Sequence, residues 1–415
     1  MTSATTSAEL RGHNLARLLR AVHDGGGRHT RAELTRQLGM ARGTATVLVR
    51  ELAGRQLITE RQPDELPAAI GPRSGAGGGA AGGAGGGHGT GQRARGRPTG
   101  TPTAHDAGPV ALAVDLRDDS FTTAAFELTG RCHVLDRSKR ESGDGTTMLK
   151  QVCAALARHR RKFGGRVIGI GVAVPSAVSD GRMVQPELAD WRDTDISDAL
   201  GGALVGNDAT LAGLAEARRG ALYGVQVALH VHAATGIGGV LLTGGQPVAG
   251  AHGSAGEFGH MPLTGGNRPC WCGAAGCWEL DAGARGLLRE AGLPERGDRM
   301  ETAAWVIATA RHDPASHRAV AHAAGSLGRG VGALVNAHDP EAVGLSGLAA
   351  GLFEAMPDLV MAGYLAALMR YRRDRPPRLL SSTLGGVGAL TGAAELAFDG
   401  FLTPSGLAAW TKKTT

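Results

Sequence analysis

Apolar residues recur at helical spacing near the start of the chain: Leu15, Leu18, Leu19 and Val22 stand at i, i+3, i+4 and i+7. Gly25-Gly26-Gly27 ends that helix. Thr30 lies three residues before Glu33, the spacing of a capping box, and opens a second, short helix over 31–38. Gly39-Met40 reads as a tight turn. A third helix gathers Ala45, Leu48, Val49 and Leu52 on one face, Gly54 closes it, and Leu57-Ile58-Thr59 begins an extended segment. Further on, 110–114 is the unbroken apolar run of a buried strand, 121–128 its hairpin partner, 147–163 a helix and 167–174 another buried strand. Residues 203–205 lead into Gly206-Asn207-Asp208, and a helix runs from 209 to about 222. Residues 227–232 and 237–242 pair around Thr235-Gly236, helices dominate 281–372, and 342–345 is a late strand. Strands alternating with helices predict an α/β fold for this larger part.

Helix, short helix, turn, helix and strand is the order of a winged helix-turn-helix, whose third helix enters the DNA major groove. Arg42, Thr44 and Thr46 then face base edges, and the Arg42 fork suits guanine. Arg31, Arg36 and Arg50 are better placed for phosphates. A three-helix protein-binding module has the same element order. Charge bears on the choice. Residues 1–105 hold 14 Arg and 7 acids, a balance of +7, whereas the remainder holds 30 basic and 31 acidic residues, a balance of −1. A basic first quarter fits a module that meets a polyanion, although a solvated basic face gives the same count. From Gly71 to Gly91, twelve of 21 residues are glycine, too little apolar surface to order a segment, so a flexible insertion in or just after the wing is expected. Arg93, Arg95 and Arg97 follow it, within reach of phosphates or the minor groove. The expected units are a DNA-binding domain over 1–63, a flexible wing or linker over 64–105 and a large ligand-binding domain over 106–415. There is no apolar run of membrane length and no cleavable signal, so a cytoplasmic protein without a membrane partner is expected.

The densest chemistry lies in the middle of the chain. Three of the five cysteines, Cys270, Cys272 and Cys277, follow C-x-C-x4-C spacing ten residues after His260. One nitrogen and three sulfur donors match a closed tetrahedral zinc site. In a reducing compartment metal binding outcompetes a disulfide, and Gly273 and Gly276 permit the turn that folds Cys277 back.

With Glu257-Phe258-Gly259-His260 before it and Trp278-Glu279 after it, this segment resembles the signature of the ROK family of repressors and sugar kinases, Glu-x-Gly-His followed by Cys-x-Cys-Gly-x-x-Gly-Cys-x-Glu. The resemblance implies a two-lobed, actin-like (ribonuclease-H-like) sugar-kinase fold from 110 to about 400, with a ligand in the cleft. It also implies a structural Zn2+ on His260, Cys270, Cys272 and Cys277. Asn207-Asp208-Ala209 matches the family's Asn-Asp-Ala, in whose kinases the Asp accepts a proton from the sugar hydroxyl. Sugar contacts are thereby implied for Asn207, Asp208, Glu257, His260 and Glu279, with one His260 nitrogen on the metal and the other on the sugar. On its own the Asn-Asp pair reads as a helix cap. Arg31-Ala32-Glu33-Leu34-Thr35, Gly39-Met40-Ala41-Arg42-Gly43-Thr44 and Gly96-Arg97-Pro98 resemble the DNA-binding head of the family's repressors. There Ala41 takes the place of a Ser, losing a cap of about 1 kcal/mol, and Gly43 weakens the first turn.

Two departures bear on function. In Pro186-Glu187-Leu188, with Trp191 beyond, Glu187 replaces an Asn expected at the sugar, which points to an amino sugar, a different polyol or a weakened site. Where ATP-using members carry Asp-x-Gly-Gly-Thr, this chain reads Asp115-Leu116-Arg117-Asp118-Asp119-Ser120. The glycines that let backbone N–H groups approach a triphosphate are gone. Carboxylates stand in their place, and like charges at ~4 Å repel by about 1 kcal/mol even in water. Thr235-Gly236-Ile237-Gly238-Gly239 keeps a second phosphate-facing turn but has Val240 next, and Leu345-Ser346-Gly347-Leu348 thins a further glycine run. The expectation is a non-enzymatic, sugar-responsive transcriptional regulator, more a repressor than an activator. It binds operator DNA as a homodimer or homotetramer, with Asp208 a ligand contact and vestigial base. The rivals are a sugar kinase with a DNA-binding head and a constitutive DNA-binding protein whose large domain only dimerises.

Overall fold

The computed structural model describes residues 7–62, 100–139, 145–179, 181–183, 195–295 and 297–410. Three helices come first, α1 (Ser7–Asp24), α2 (Arg31–Gln37) and α3 (Arg42–Gly54), packed around Leu15, Leu18, Leu19, Leu34, Leu48 and Leu52. The capping box forms: Glu33 N donates to Thr30 Oγ1 at 3.3 Å, and Thr30 N donates to the Glu33 carboxylate at 2.7 Å. Ala41 takes the extended N-cap conformation of α3 and offers it no side-chain acceptor. The left-handed residue after α3 is Gln56, φ 57°, rather than the glycine at position 54. Strand β1 (Ile58–Arg61) pairs antiparallel with β2 (Thr101–Ala104), Ile58 opposite Ala104. Residues 101–104, expected within a flexible linker, are therefore strand. The glycine tract, Arg93, Arg95 and Arg97 fall between these strands in sequence and outside the described residues.

The larger part is mixed α/β with two sheets. The first takes β3 (Val110–Leu116), β4 (Ser120–Glu127), β5 (Cys132–Lys139), then, after α4 (Gly145–Phe163), β6 (Val167–Val174). The short β7 (Val178–Ser179) and β8 (Arg182–Met183) and the one-turn α5 (Ile196–Ala199) precede its last strand, β9 (Leu204–Asn207). The order is β5-β4-β3-β6-β9, and all seven residues of β3 are buried. Helix α6 (Asp208–Arg219) crosses to the second lobe, ending at Gly220 rather than near 222. There follow β10 (Val227–Ala233), β11 (Ile237–Thr243), β12 (Gln246–Pro247), α7 (Glu279–Ala282), α8 (Ala284–Glu290), α9 (Arg299–Thr309) and α10 (Pro314–His338). Then come β13 (Ala342–Gly347), α11 (Leu348–Ala355), α12 (Pro357–Ala367) and β14 (Arg378–Ser381), giving the second sheet the order β12-β11-β10-β13-β14. Its core holds Val231, Trp278, Leu327 and Leu345. The chain then returns to the first lobe as α13 (Gly388–Phe401) and α14 (Pro404–Ala409).

That return joins the first three helices to the larger part. Leu390, Phe398 and Leu407 from the last two helices share one core with Leu15, Leu18 and Leu52 from the first three. Trp410 Nε1 donates to Arg55 O at 2.9 Å across the same junction. Helix α13 also lies directly on α6, because a Cβ at Gly392 would come within 2.0 Å of Leu211 O. Among the described residues no single helix is long and apolar enough to cross a membrane.

Candidate functional site

The lobes meet over a cleft whose lining includes Arg117, Asp119, Asn207, Asp208, His232, Glu257, His260, Trp271, Glu279 and Arg285. All five residues implied as sugar contacts are thus brought together from β9, α6, the segment after β12, and α7. Asn207 is the N-cap of α6, its Oδ1 accepting from Thr210 N at 2.9 Å while its Nδ2 donates to Ser176 O at 3.2 Å. It caps the helix and lines the cleft at once. Asp208 Oδ1 accepts from Ala209 N at 2.7 Å. Burial, with the charges of Asp115 and Glu257 adding to it, pushes the Asp208 carboxyl up to about 7. Burial likewise raises Glu257, and Glu279 reinforces it. Glu279 Oε1 accepts from Trp271 Nε1 at 2.8 Å and from the Cys270 thiol at 3.3 Å. The loop passes close to this carboxylate at Gly236, where a Cβ would lie 2.4 Å from Glu279 Oε2.

His260, Cys270, Cys272 and Cys277 present four donor atoms that all lie within 4.8 Å of one another. His260 Nδ1 is 3.7 Å from Cys270 Sγ, and Cys272 Sγ is 3.7 Å from Cys277 Sγ. A tetrahedron with metal–sulfur bonds of about 2.3 Å has edges of about 3.8 Å, so the set fits a metal ion. Gly273 and Gly276 supply the positive φ, 92° and 70°, that the returning turn needs. Burial raises the Cys270 and Cys277 thiols, so thiolates here need a cation beside them. With Nδ1 turned to the sulfurs, His260 Nε2 lies on the side of Glu257, 3.8 Å from Oε2.

The turn after β3 differs from the expectation of bare, repelling carboxylates. Arg117 Nε and Nη2 donate to Asp115 Oδ2 at 3.1 and 2.8 Å. Arg299 Nη1, from α9 in the other lobe, donates to Asp118 Oδ2 at 2.7 Å. Ser120 Oγ donates to Asp119 Oδ1 at 2.8 Å. Each acid has acquired a partner, and one of them ties the lobes together; Lys139 makes a second tie, to Asp298 and Glu301 at 3.0 and 2.7 Å.

His232 and Trp271 are among the lining residues that carried no role in the sequence. His232 Nδ1 lies 2.7 Å from Ser346 Oγ, and burial pushes its ring down to about 4, so it is neutral. Its signal was a His at i+2 from His230 in an otherwise apolar strand, which turns both to one face. Trp271, inside the cysteine motif, keeps 41 % of its surface exposed and stands nearly perpendicular to His260, ring centroids 5.0 Å apart.

At the other end of the molecule Arg36, Arg42, Thr44 and Arg50 are exposed. Thr46 is half-buried, with its hydroxyl donating to Arg42 O at 2.9 Å. Arg31 is held 3.3 Å from Glu60 of β1, so it is less free than the sequence suggested. Val47 lies exposed between these residues. Pro186-Glu187-Leu188 and Trp191 lie outside the described residues.

Known proteins resemble this arrangement on both sides of the kinase–regulator divide. The sequence model of the ROK family matches residues 111–399. The chain is 31% identical over 258 residues to a kanosamine kinase of Amycolatopsis mediterranei, covering 60% of this chain and 83% of the kinase. It is 24% identical over 306 residues to the xylose repressor of Bacillus subtilis, covering 70% of this chain and 78% of the repressor. A solved ROK family transcriptional regulator, a homologue of the E. coli MLC protein, shares the fold with a TM-score of 0.67 at 21% identity. That likeness covers 97% of this chain and 98% of the other, and so takes in the N-terminal helices.

Proposed function

The chain belongs to the ROK family, whose sugar-kinase-like fold it adopts, and from that premise we propose that it is a sugar-responsive DNA-binding regulator, a repressor, without kinase activity. One observation carries the choice. At the turn after β3, where a kinase needs bare glycine backbone facing a triphosphate, Arg117 is folded onto Asp115 and Asp118 is bonded to Arg299 of the opposite lobe. The cleft's other wall keeps Asn207, Asp208, Glu257, His260 and Glu279 together around one space, which suits the hydroxyls of a sugar. Zinc on His260, Cys270, Cys272 and Cys277 is structural in this reading: it supplies a closed, charge-neutralising link that fixes the wall carrying His260 and Glu279.

In the same reading the first three helices and the β1–β2 pair are a winged helix-turn-helix. Helix α3 enters the major groove with Arg42 on base edges and Thr44 and Thr46 beside it. Arg31, Arg36, Arg50 and Arg97 serve the phosphates. A homodimer or homotetramer presents two such helices to a two-fold operator in the cytoplasm. The test has two stages. A thermal-shift screen of mono- and disaccharides finds the effector, since saturation a hundredfold above Kd adds about 2.7 kcal/mol. Fluorescence anisotropy on DNA from upstream of the protein's own gene then follows binding with and without that sugar. A change in affinity supports the proposal; DNA binding indifferent to a sugar that demonstrably binds overturns it.

A second reading, a sugar kinase with a DNA-binding head, is favoured by Asp208. A carboxyl raised to about 7 in a cleft is suited to accept a hydroxyl proton at neutral pH.

A further inference from the structure

Helix α6 touches the cleft at one end and the N-terminal helices at the other. Its first residue, Asp208, lines the cleft. Its middle is pressed between the lobes: a Cβ at Gly213 would come within 2.3 Å of Val240 in the second sheet, and Leu211 O meets α13 at Gly392. Its last two residues, Arg218 and Arg219, enter a buried ion cluster beneath α1. The twelve residues between cleft and cluster span ~18 Å at 1.5 Å per residue.

The cluster is built around Glu395 of α13, only 2% exposed. Arg219 Nε donates to Glu395 Oε1 at 2.5 Å and Arg218 Nη1 to Oε2 at 3.0 Å. His23, fully buried in the last turn of α1, has its Nε2 2.9 Å from Glu395 Oε2 and its Nδ1 hydrogen-bonded to Leu128 O. Arg219 also reaches α1 directly, Nη1 donating to His23 O at 3.2 Å and Nη2 lying 2.7 Å from His23 Nε2. Asp399 completes the joint, taking Arg218 at 3.0 and 2.9 Å and Arg20 of α1 at 2.5 Å.

Stability alone does not explain so many buried charges, because apolar residues of similar volume commonly serve a core as well or better. Directional contacts of this kind have discrete arrangements, each with its own set of partners. Both ends of the helix are held by hydrogen bonds. Asn207 caps its start, and Glu216 accepts from Ala221 N at 2.7 Å and Leu384 N at 3.2 Å at its end.

We propose that α6 is the rod by which ligand in the cleft resets the N-terminal helices, with Arg219, Glu395 and His23 as its joint. A ligand bonded to Asp208 in one lobe arrangement and not the other biases the position of α6, and the joint passes that bias to α1. The inference rests on the sugar-binding reading of the cleft and adds its route to the DNA-binding end.

Hydrogen–deuterium exchange on the full chain tests it, with D-glucose and D-xylose as first probes and any sugar that raises the melting temperature after them. At saturation, amide exchange in residues 18–24 and 390–399 changes by about threefold or more in the wild type. In Arg219→Lys, which keeps the charge but not the planar fork, sugar affinity stays within about twofold while that change disappears. Unmoved exchange in α1 with a bound sugar overturns the inference and leaves the cleft reading standing, as does transmission by Arg219→Lys equal to the wild type's. If no sugar shifts the melting temperature, the cleft reading fails and the inference with it. Should Arg219→Lys not fold, the wild-type exchange decides alone.

Discussion

Asp208 gives the cleft a pH signature. Its carboxyl sits at about 7 in the folded chain against an ordinary 3.8, so between those values the folded state holds a proton that the unfolded state has lost. Stability therefore falls as pH rises through that window and is level above it. Asp208→Asn removes the penalty. Melting curves should place the variant above the wild type at alkaline pH by about 1–2 kcal/mol, the partly open cleft reducing the full effect, and bring the two together near pH ~4. An offset that does not vary with pH would refute this account of the residue. Trp271 makes a second residue-level prediction. Its half-open ring, pinned by Glu279, offers an aromatic face to the apolar side of a sugar ring. Trp271→Ala should weaken sugar binding about tenfold by calorimetry, and Trp271→Phe far less, with metal content unchanged in both. Equal affinity in the alanine variant would remove Trp271 from the site. The clustering of His260, Cys270, Cys272 and Cys277 was legible in the sequence because it is local, four residues within an eighteen-residue stretch. Trp271 and His232 were not, because their position depends on β10 and the cysteine loop meeting across the cleft.

Among the elements, α3 begins without a side-chain cap, whereas α2 before it has one. Ala41 already has the extended backbone of an N-cap, so Ala41→Ser needs only a hydroxyl to satisfy an N–H of the first turn. The gain should be about 1 kcal/mol in denaturant unfolding. No gain would mean that α3 is held by its neighbours alone. The capping box at Thr30 and Glu33 was readable from four residues because its chemistry is contained in them. Helix ends were read to within a few residues: α2 stops at Gln37, just before Leu38 and the left-handed Gly39, and α6 at Arg219, where Gly220 is the C-cap. Strand β2 was invisible. Thr-Pro-Thr-Ala has no alternation to read, and its partner β1 lies beyond the glycine tract, so only the pairing defines it.

On the scale of the molecule, composition suggested a head and a body, yet the first three helices share a core with the last two. A boundary drawn from local charge cannot see a helix that returns some 350 residues later. In the proposed reading this shared core is what connects the cleft to α1, and the central claim is that the cleft keeps its sugar side and has closed its nucleotide side. Titration calorimetry on one zinc-loaded preparation tests that claim most directly: the effector sugar first, then AMP-PNP, with ADP release from ATP measured in parallel. The account predicts heat from the sugar, none from the nucleotide and no sugar-dependent ADP. Nucleotide binding together with sugar-dependent ADP release that Asp208→Asn abolishes would contradict it.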